Sequence, residues 1–139
     1  MKVFETDGPA ATEAVGAEIA AGLRAGDIVH VLGELGAGKT TLVRGACRAL
    51  GVQGAVTSPT FDIGHRYGAA AGLVVAHLDL YRLPSLAAED PDLLADYLGE
   101  GRITFVEWPP DGAADLGPPR MTVALAHLEG DRRRVEVRG

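Results

Sequence analysis

Eight consecutive residues constrain this chain more than any others: Gly33-Glu34-Leu35-Gly36-Ala37-Gly38-Lys39-Thr40. They match the spacing G-x-x-x-x-G-K-[ST] at every fixed position. The β-branched run Ile28-Val29-His30-Val31-Leu32 stands directly before them and reads as a buried strand. After them, Leu42, Val43, Ala46, Cys47 and Leu50 fall on one helical face, and Gly51 supplies a C-terminal stop. Strand, glycine loop and helix in that order give the motif its mechanism. Gly36 and Gly38 let the backbone turn tightly and aim successive N–H groups into a concavity that accepts phosphate oxygens. The helix opening near Lys39 brings its positive end to the same place. Thr40 places a hydroxyl where a Mg²⁺ would sit.

The lysine itself is informative. The chain has 11 arginines and two lysines, and Lys2 lies at the terminus. Lys39 is the sole internal lysine, in a slot that suits a compact ammonium reaching β- and γ-phosphates better than a planar guanidinium fork. Gly33, Leu35, Gly36, Ala37, Gly38, Lys39, Thr40 and Thr41 are therefore the candidate phosphate-binding residues.

A phosphate loop of this kind works with a carboxylate at the end of a neighbouring strand, for Mg²⁺ or for the attacking water. Two runs offer one. Residues 72–81, GLVVAHLDLY, carry Asp79 at the end of an apolar stretch, and residues 102–108, RITFVEW, carry Glu107. Both acids belong at the carboxyl edge of a sheet, where ligands bind in folds of this type. His77 precedes Asp79 by two residues and so shares its face of the strand. It is expected to be packed or hydrogen-bonded rather than a metal ligand, because His30, His65 and His127 form no metal spacing with it. Residues 58–61, SPTF, follow the first loop-helix unit at the place of a switch segment, which makes Thr60 a candidate contact to the γ-phosphate or Mg²⁺.

Elsewhere, Val15, Ile19 and Leu23 recur at helical spacing over residues 10–23, and Val3-Phe4 reads as a short edge strand. Residues 85–98 read as helical turns interrupted by Pro91. Residues 121–128 and 133–137 read as a closing hairpin across Glu129-Gly130-Asp131. Strands alternating with helices predict one α/β domain over residues 1–139, with a largely parallel sheet whose late strands pair antiparallel.

Composition removes several classes. The net charge of -6 argues against tight, direct nucleic-acid binding, which requires a basic surface. Cys47 is the only cysteine, so no internal disulfide forms, and its periodic apolar setting makes it a small core residue. No apolar run approaches the length of a membrane span, and the N-terminal residues lack a signal-peptide pattern, so a cytoplasmic protein is expected. Guanine readers use an Asn-Lys-x-Asp element, which a chain with lysine only at 2 and 39 does not contain; ATP is the expected nucleotide. A small-molecule kinase with its own acceptor remains the alternative. The short chain favours an ATP-dependent switch instead. Arg132, Arg133 and Arg134 fit a solvated turn and a nucleotide-edge role equally well.

Four stretches occurring in order, GELGAGKTTLVRG, SPTFDIGHRY, HLDLYRL and VEWP, together resemble the TsaE (YjeE) family of small bacterial P-loop ATPases. The resemblance covers about residues 10–110. It implies a P-loop NTPase-like α/β domain with a central mixed, largely parallel sheet flanked by helices. It implies Mg²⁺-dependent ATP hydrolysis in the service of threonylcarbamoyladenosine synthesis on tRNA. It further implies docking on a TsaB–TsaD heterodimer; with a net charge of -6 and no separate acceptor domain, the chain is expected to reach tRNA through that complex, to hydrolyse ATP slowly alone, and to be a monomer by itself. By motif, Leu35 to Thr40 would cradle the phosphates, with Lys39 on β and γ. Thr40 and Glu107 would hold Mg²⁺, Asp79 would be the Walker-B-like acid, Thr60 the switch threonine, and Trp108 a neighbour of the site. Base contacts are implied for Pro9 to Thr12 and for Asp131 to Arg133. Three places depart from the family pattern: Glu34, where Asp is usual; residues 62–66; and Pro91.

Overall fold

The structure, a computed structural model, describes residues 1–34, 36–57, 63–81, 97–109 and 117–139. The loop residue Leu35, the SPTF segment with Thr60, the span 82–96 with Pro91, and residues 110–116 lie outside the described residues.

The apolar β-branched runs become strands and the 3.6-period runs become helices. In chain order these are β1 (Lys2–Thr6), α1 (Pro9–Ala20), β2 (Ile28–Leu32), α2 (Lys39–Ala49), β3 (Gly64–Gly68), β4 (Val74–Asp79), β5 (Arg102–Glu107), β6 (Met121–His127) and β7 (Arg133–Arg138). The seven strands of the described residues join one sheet in the order β1-β7-β6-β2-β5-β4-β3. The four inner strands β6, β2, β5 and β4 run parallel. The rims are antiparallel, with β7 and β1 on one side and β3 on the other. The expected hairpin of β6 and β7 is present, and β6 also pairs in parallel with β2.

Alternation along the strands sorts the side chains by face. Val29, Val31, Ile103, Phe105, Val75, Val123, Leu125 and Val135 pack with Val15 and Ile19 of α1 and with Leu42, Val43, Ala46 and Cys47 of α2. Leu78, Leu80 and Val106 form a second apolar cluster with Ile28, Ile63, Tyr97 and Leu98. Leu42 and Val43 are fully buried, and burial of each contributes about 1.5–3 kcal/mol, so α2 is anchored along its length.

Both ends of α2 are set by glycine. At the C-terminal end Gly51 adopts φ 94°, its N–H bonds to the Arg48 carbonyl at 3.1 Å, and the Val52 N–H bonds to the Cys47 carbonyl at 3.0 Å. That pair of bonds is a Schellman stop. At the N-terminal end Gly38 is left-handed and no side chain caps the helix. Helix α1 ends at Ala20, three residues before the expected Leu23. The Leu23 N–H instead bonds to the Ala20 carbonyl in a tighter turn, and its side chain still packs on the core.

Helices α1 and α2 approach each other closely because each presents a glycine. A Cβ on Gly16 would lie 2.0 Å from the Leu42 carbonyl oxygen, and one on Gly45 would lie 2.0 Å from the Glu13 carbonyl oxygen. The two residues are reciprocal, so the backbones meet where side chains would otherwise hold them apart.

Candidate active site

Strand β2 delivers the chain into the glycine loop, and α2 carries it away. An uncapped helix N-terminus leaves its first N–H groups without intrahelical acceptors. Here those groups belong to Gly38, Lys39, Thr40 and Thr41, which with Gly36 of the loop line a cavity of about 310 Å³. Asp79, Glu107, Trp108 and Arg133 complete its wall. Uncapped N–H groups, an ammonium and a hydroxyl on one wall fit a polyphosphate, with carboxylates opposite for its divalent cation.

The Lys39 ammonium is nearly buried. It donates to the carbonyl oxygens of Gly33 at 2.6 Å and Glu34 at 2.9 Å, and it sits 4.3 Å from the centroid of the Trp108 ring. Burial lowers its pKa from the ordinary lysine value, and the charges of Glu107 and Asp79 oppose that shift. A cation held against backbone carbonyls and an aromatic face is poised to exchange those weak acceptors for a phosphate.

The two acids stand side by side. Asp79 of β4 is the register partner of Glu107 of β5, at the carboxyl ends of adjacent parallel strands. Asp79 Oδ1 accepts the Tyr81 N–H at 3.0 Å. Glu107 Oε2 accepts the Thr40 hydroxyl at 3.3 Å and is hydrogen-bonded to His77 Nε2. Among the described residues no group of three or more His, Cys, Asp or Glu forms a metal cage. One or two carboxylates beside a threonine hydroxyl suit Mg²⁺ arriving with phosphates, since that ion retains waters rather than a full protein shell.

A smaller cavity of about 60 Å³ adjoins the first and shares Gly38, Thr41 and Arg133 with it. Gly8, Pro9, Thr12 and Asp131 complete it. The segments Pro9 to Thr12 and Asp131 to Arg133, far apart in sequence, thus meet beside the loop. Arg133 Nη2 donates to the Gly36 carbonyl oxygen at 3.3 Å, tying β7 to the loop.

Comparison with known proteins decides the family. Residues 6–135 match the family described as threonylcarbamoyl adenosine biosynthesis protein TsaE. The chain belongs to the TsaE family. It is 42% identical over 118 residues to the tRNA threonylcarbamoyladenosine biosynthesis protein TsaE of Streptomyces coelicolor, covering 84% of this chain and 80% of that one. It is 33% identical over 132 residues to the protein of the same name from Bacillus subtilis, covering 95% and 82%. The crystal structure of YdiB from Bacillus subtilis superposes with a TM-score of 0.71 at 28% identity, over 96% of this chain and 82% of that one. The mixed sheet with a parallel centre, expected from the TsaE resemblance, is the fold observed.

Against the residues singled out in the sequence, this TsaE-family site gathers Gly36, Gly38, Lys39, Thr40, Thr41, Asp79, Glu107 and Arg133 around one cavity and Pro9 beside it. Gly33 lies behind the loop, where its carbonyl holds Lys39. Ala37 is buried under the loop and belongs to the core. Leu35 and Thr60 lie outside the described residues. Two partners had no signal in the sequence, Gly36 for Arg133 and Glu107 for His77. The first contact joins residues 97 apart and depends on strand order; for the second, the expectation of a packed or hydrogen-bonded His77 named no partner.

Proposed function

We propose that this chain is a Mg²⁺-dependent ATPase of tRNA threonylcarbamoyladenosine synthesis, acting as an accessory subunit that docks on TsaB–TsaD and resets it between turnovers. The observation that supports this most directly is the meeting of two elements across one cavity. These are the uncapped α2 N-terminus with Lys39 and Thr40, and the register-paired carboxylates Asp79 and Glu107. Lys39 and the loop N–H groups would bind and orient the phosphates, where positioned charge contributes most as charge redistributes over the transferring phosphoryl group. Thr40 and Glu107 would hold Mg²⁺, which supplies charge neutralisation at the phosphate oxygens. Asp79, beside them, would orient water or complete the metal's surroundings. Arg133 and the Pro9–Thr12 turn would meet the nucleotide's far end at the smaller cavity. The net charge of -6 gives little counterion-release drive toward tRNA, so tRNA is reached through the partner.

The test is ATP turnover and complex affinity measured with ATP, ADP and a non-hydrolysable analogue, with and without TsaB–TsaD and tRNA. Turnover is expected to be slow alone and faster with the pair, and docking is expected to be tighter with the analogue than with ADP. Lys39→Ala should lower turnover about 10³-fold. Nucleotide-indifferent docking, or tight tRNA binding by the isolated chain, overturns the reading. Phosphate transfer to a small acceptor would make the chain a kinase instead.

A further inference from the structure

His77 occupies the middle of β4 and is completely buried. Its register partners are Phe105 on β5 and His65 on β3. Side-chain parity along β4 puts it on the face of Val75 and Asp79, directly beneath the edge where the two acids stand. Among the described residues its buried Nδ1 has no hydrogen-bond partner, and the imidazole makes its polar contact through Nε2, on Glu107 Oε2. Thr40 donates to that same oxygen from the opposite wall.

The arrangement solves a problem specific to this cavity. An ammonium and a carboxylate that share a half-dry pocket attract one another, and Glu107 is the first charge acting on Lys39. Collapse of the two into an ion pair would neutralise both groups that a Mg²⁺–polyphosphate needs. Among the ion pairs of the described residues, none joins Lys39 to Glu107. The ammonium is occupied by the Gly33 and Glu34 carbonyl oxygens and the Trp108 face, and the carboxylate by His77 and Thr40.

We propose that His77 is a positioning residue, which holds the Glu107 carboxylate on the Thr40 side of the cavity and keeps it from closing onto Lys39. This rests on the reading of the cavity as a Mg²⁺–nucleotide site. Its consequence falls most on the metal: without the tether Glu107 pairs with Lys39, which weakens phosphate binding in either condition, and the carboxylate that would meet Mg²⁺ is lost as well, so the gain that Mg²⁺ adds to nucleotide binding also falls. An imidazole suits the task because it is rigid and reaches the carboxylate from the strand interior. Aliphatic replacement fills the space and removes the tether.

The experiment is calorimetric titration of the purified full chain with a non-hydrolysable ATP analogue, once with excess Mg²⁺ and once with EDTA. The quantity read is the ratio of the two affinities. His77→Leu is expected to lower that ratio about tenfold, in line with the loss seen when a group orienting a metal ligand is removed, with the affinity in EDTA falling less than the affinity with Mg²⁺. His77→Gln, whose amide N–H can still reach the carboxylate, should restore most of the ratio. Combined with Glu107→Gln, His77→Leu should produce no further fall, because the two act through one carboxylate. If His77→Leu does not fold, His77→Gln against the shorter His77→Asn carries the comparison. An unchanged ratio in these variants, an equal loss with and without metal, or an additional loss on the Glu107→Gln background overturns the proposal. A wild type that shows no Mg²⁺-dependent gain at all overturns the nucleotide-site reading itself, a distinguishable outcome.

Discussion

Gly38 and Gly45 lie seven residues apart, at the head and within the body of α2, and each excludes a side chain for a different reason. At Gly45 the backbone is helical and any residue has the torsion angles it needs. What is missing is room, because a Cβ would stand 2.0 Å from the Glu13 carbonyl oxygen of α1. At Gly38 there is room, the nearest neighbours of a Cβ being the Leu125 Cδ2 at 3.6 Å and the Thr12 Cγ2 at 3.8 Å. What is unusual is the backbone, held at φ 100°, which an L side chain disfavours. One glycine fixes where α2 lies, and the other fixes the shape of the loop that α2 begins. The first is a matter of stability and the second of binding, even though both substitutions add one methyl group to one helix.

Substitution separates the two. Gly45→Ala forces the α1–α2 crossing apart and is expected to cost about 3 kcal/mol, which thermal unfolding would register as a midpoint roughly 10 °C lower. Gly38→Ala strains one residue and should cost about 1–2 kcal/mol of stability, with a loss of nucleotide affinity larger than that of any surface variant; calorimetry and unfolding on the same sample read both. If Gly38→Ala proves the more destabilising of the two, the distinction between space and torsion is wrong.

Cys47 sharpens the comparison with the smallest expected effect. It lies on the sheet-facing side of α2, two residues from Gly45, and burial pushes its thiol up from 9.0 to about 12. The folded state therefore keeps a proton that the unfolded chain releases. The stability this confers is complete below pH 9.0 and is lost as pH rises toward about 12. A Cys47→Ala chain should show a shallower alkaline decline than the wild type in pH-dependent unfolding. Alkylation followed by mass spectrometry at neutral pH should leave the wild-type thiol unmodified, and Gly45→Ala should expose it where Gly38→Ala does not.

The elements most legible in the sequence were those whose signal is local. Strands β2, β4 and β5 announce themselves as β-branched runs buried on one or both faces, and α2 is bracketed by Gly38 and Gly51, each with a conformational task at its place. Lys39 stood out through the scarcity of lysine, and Asp79 and Glu107 through their position at strand ends. That they are register partners was not legible, because register follows from how β4 and β5 align and neither strand carries a mark for it. The insertion of β6 between β2 and β7 was equally hidden: the hairpin with β7 is a short-range feature, whereas pairing with β2 joins residues about ninety apart. Nothing local marks Gly16 and Gly45 as contact residues, because each meets its partner backbone only through the crossing of α1 over α2.

The strand order also sets a timetable for synthesis. Among the described strands β1 pairs only with β7, and β2, which bears the glycine loop, pairs with β5 and β6. A nascent chain that has not reached Arg102 holds both of these strands without a neighbour, and the Arg133 tie to Gly36 waits longer still. Distant pairings close slowly and leave strand edges bare in the interval. A ribosome stalled before Arg102 therefore carries a complete phosphate-loop sequence whose strand still lacks β5 and β6 beside it.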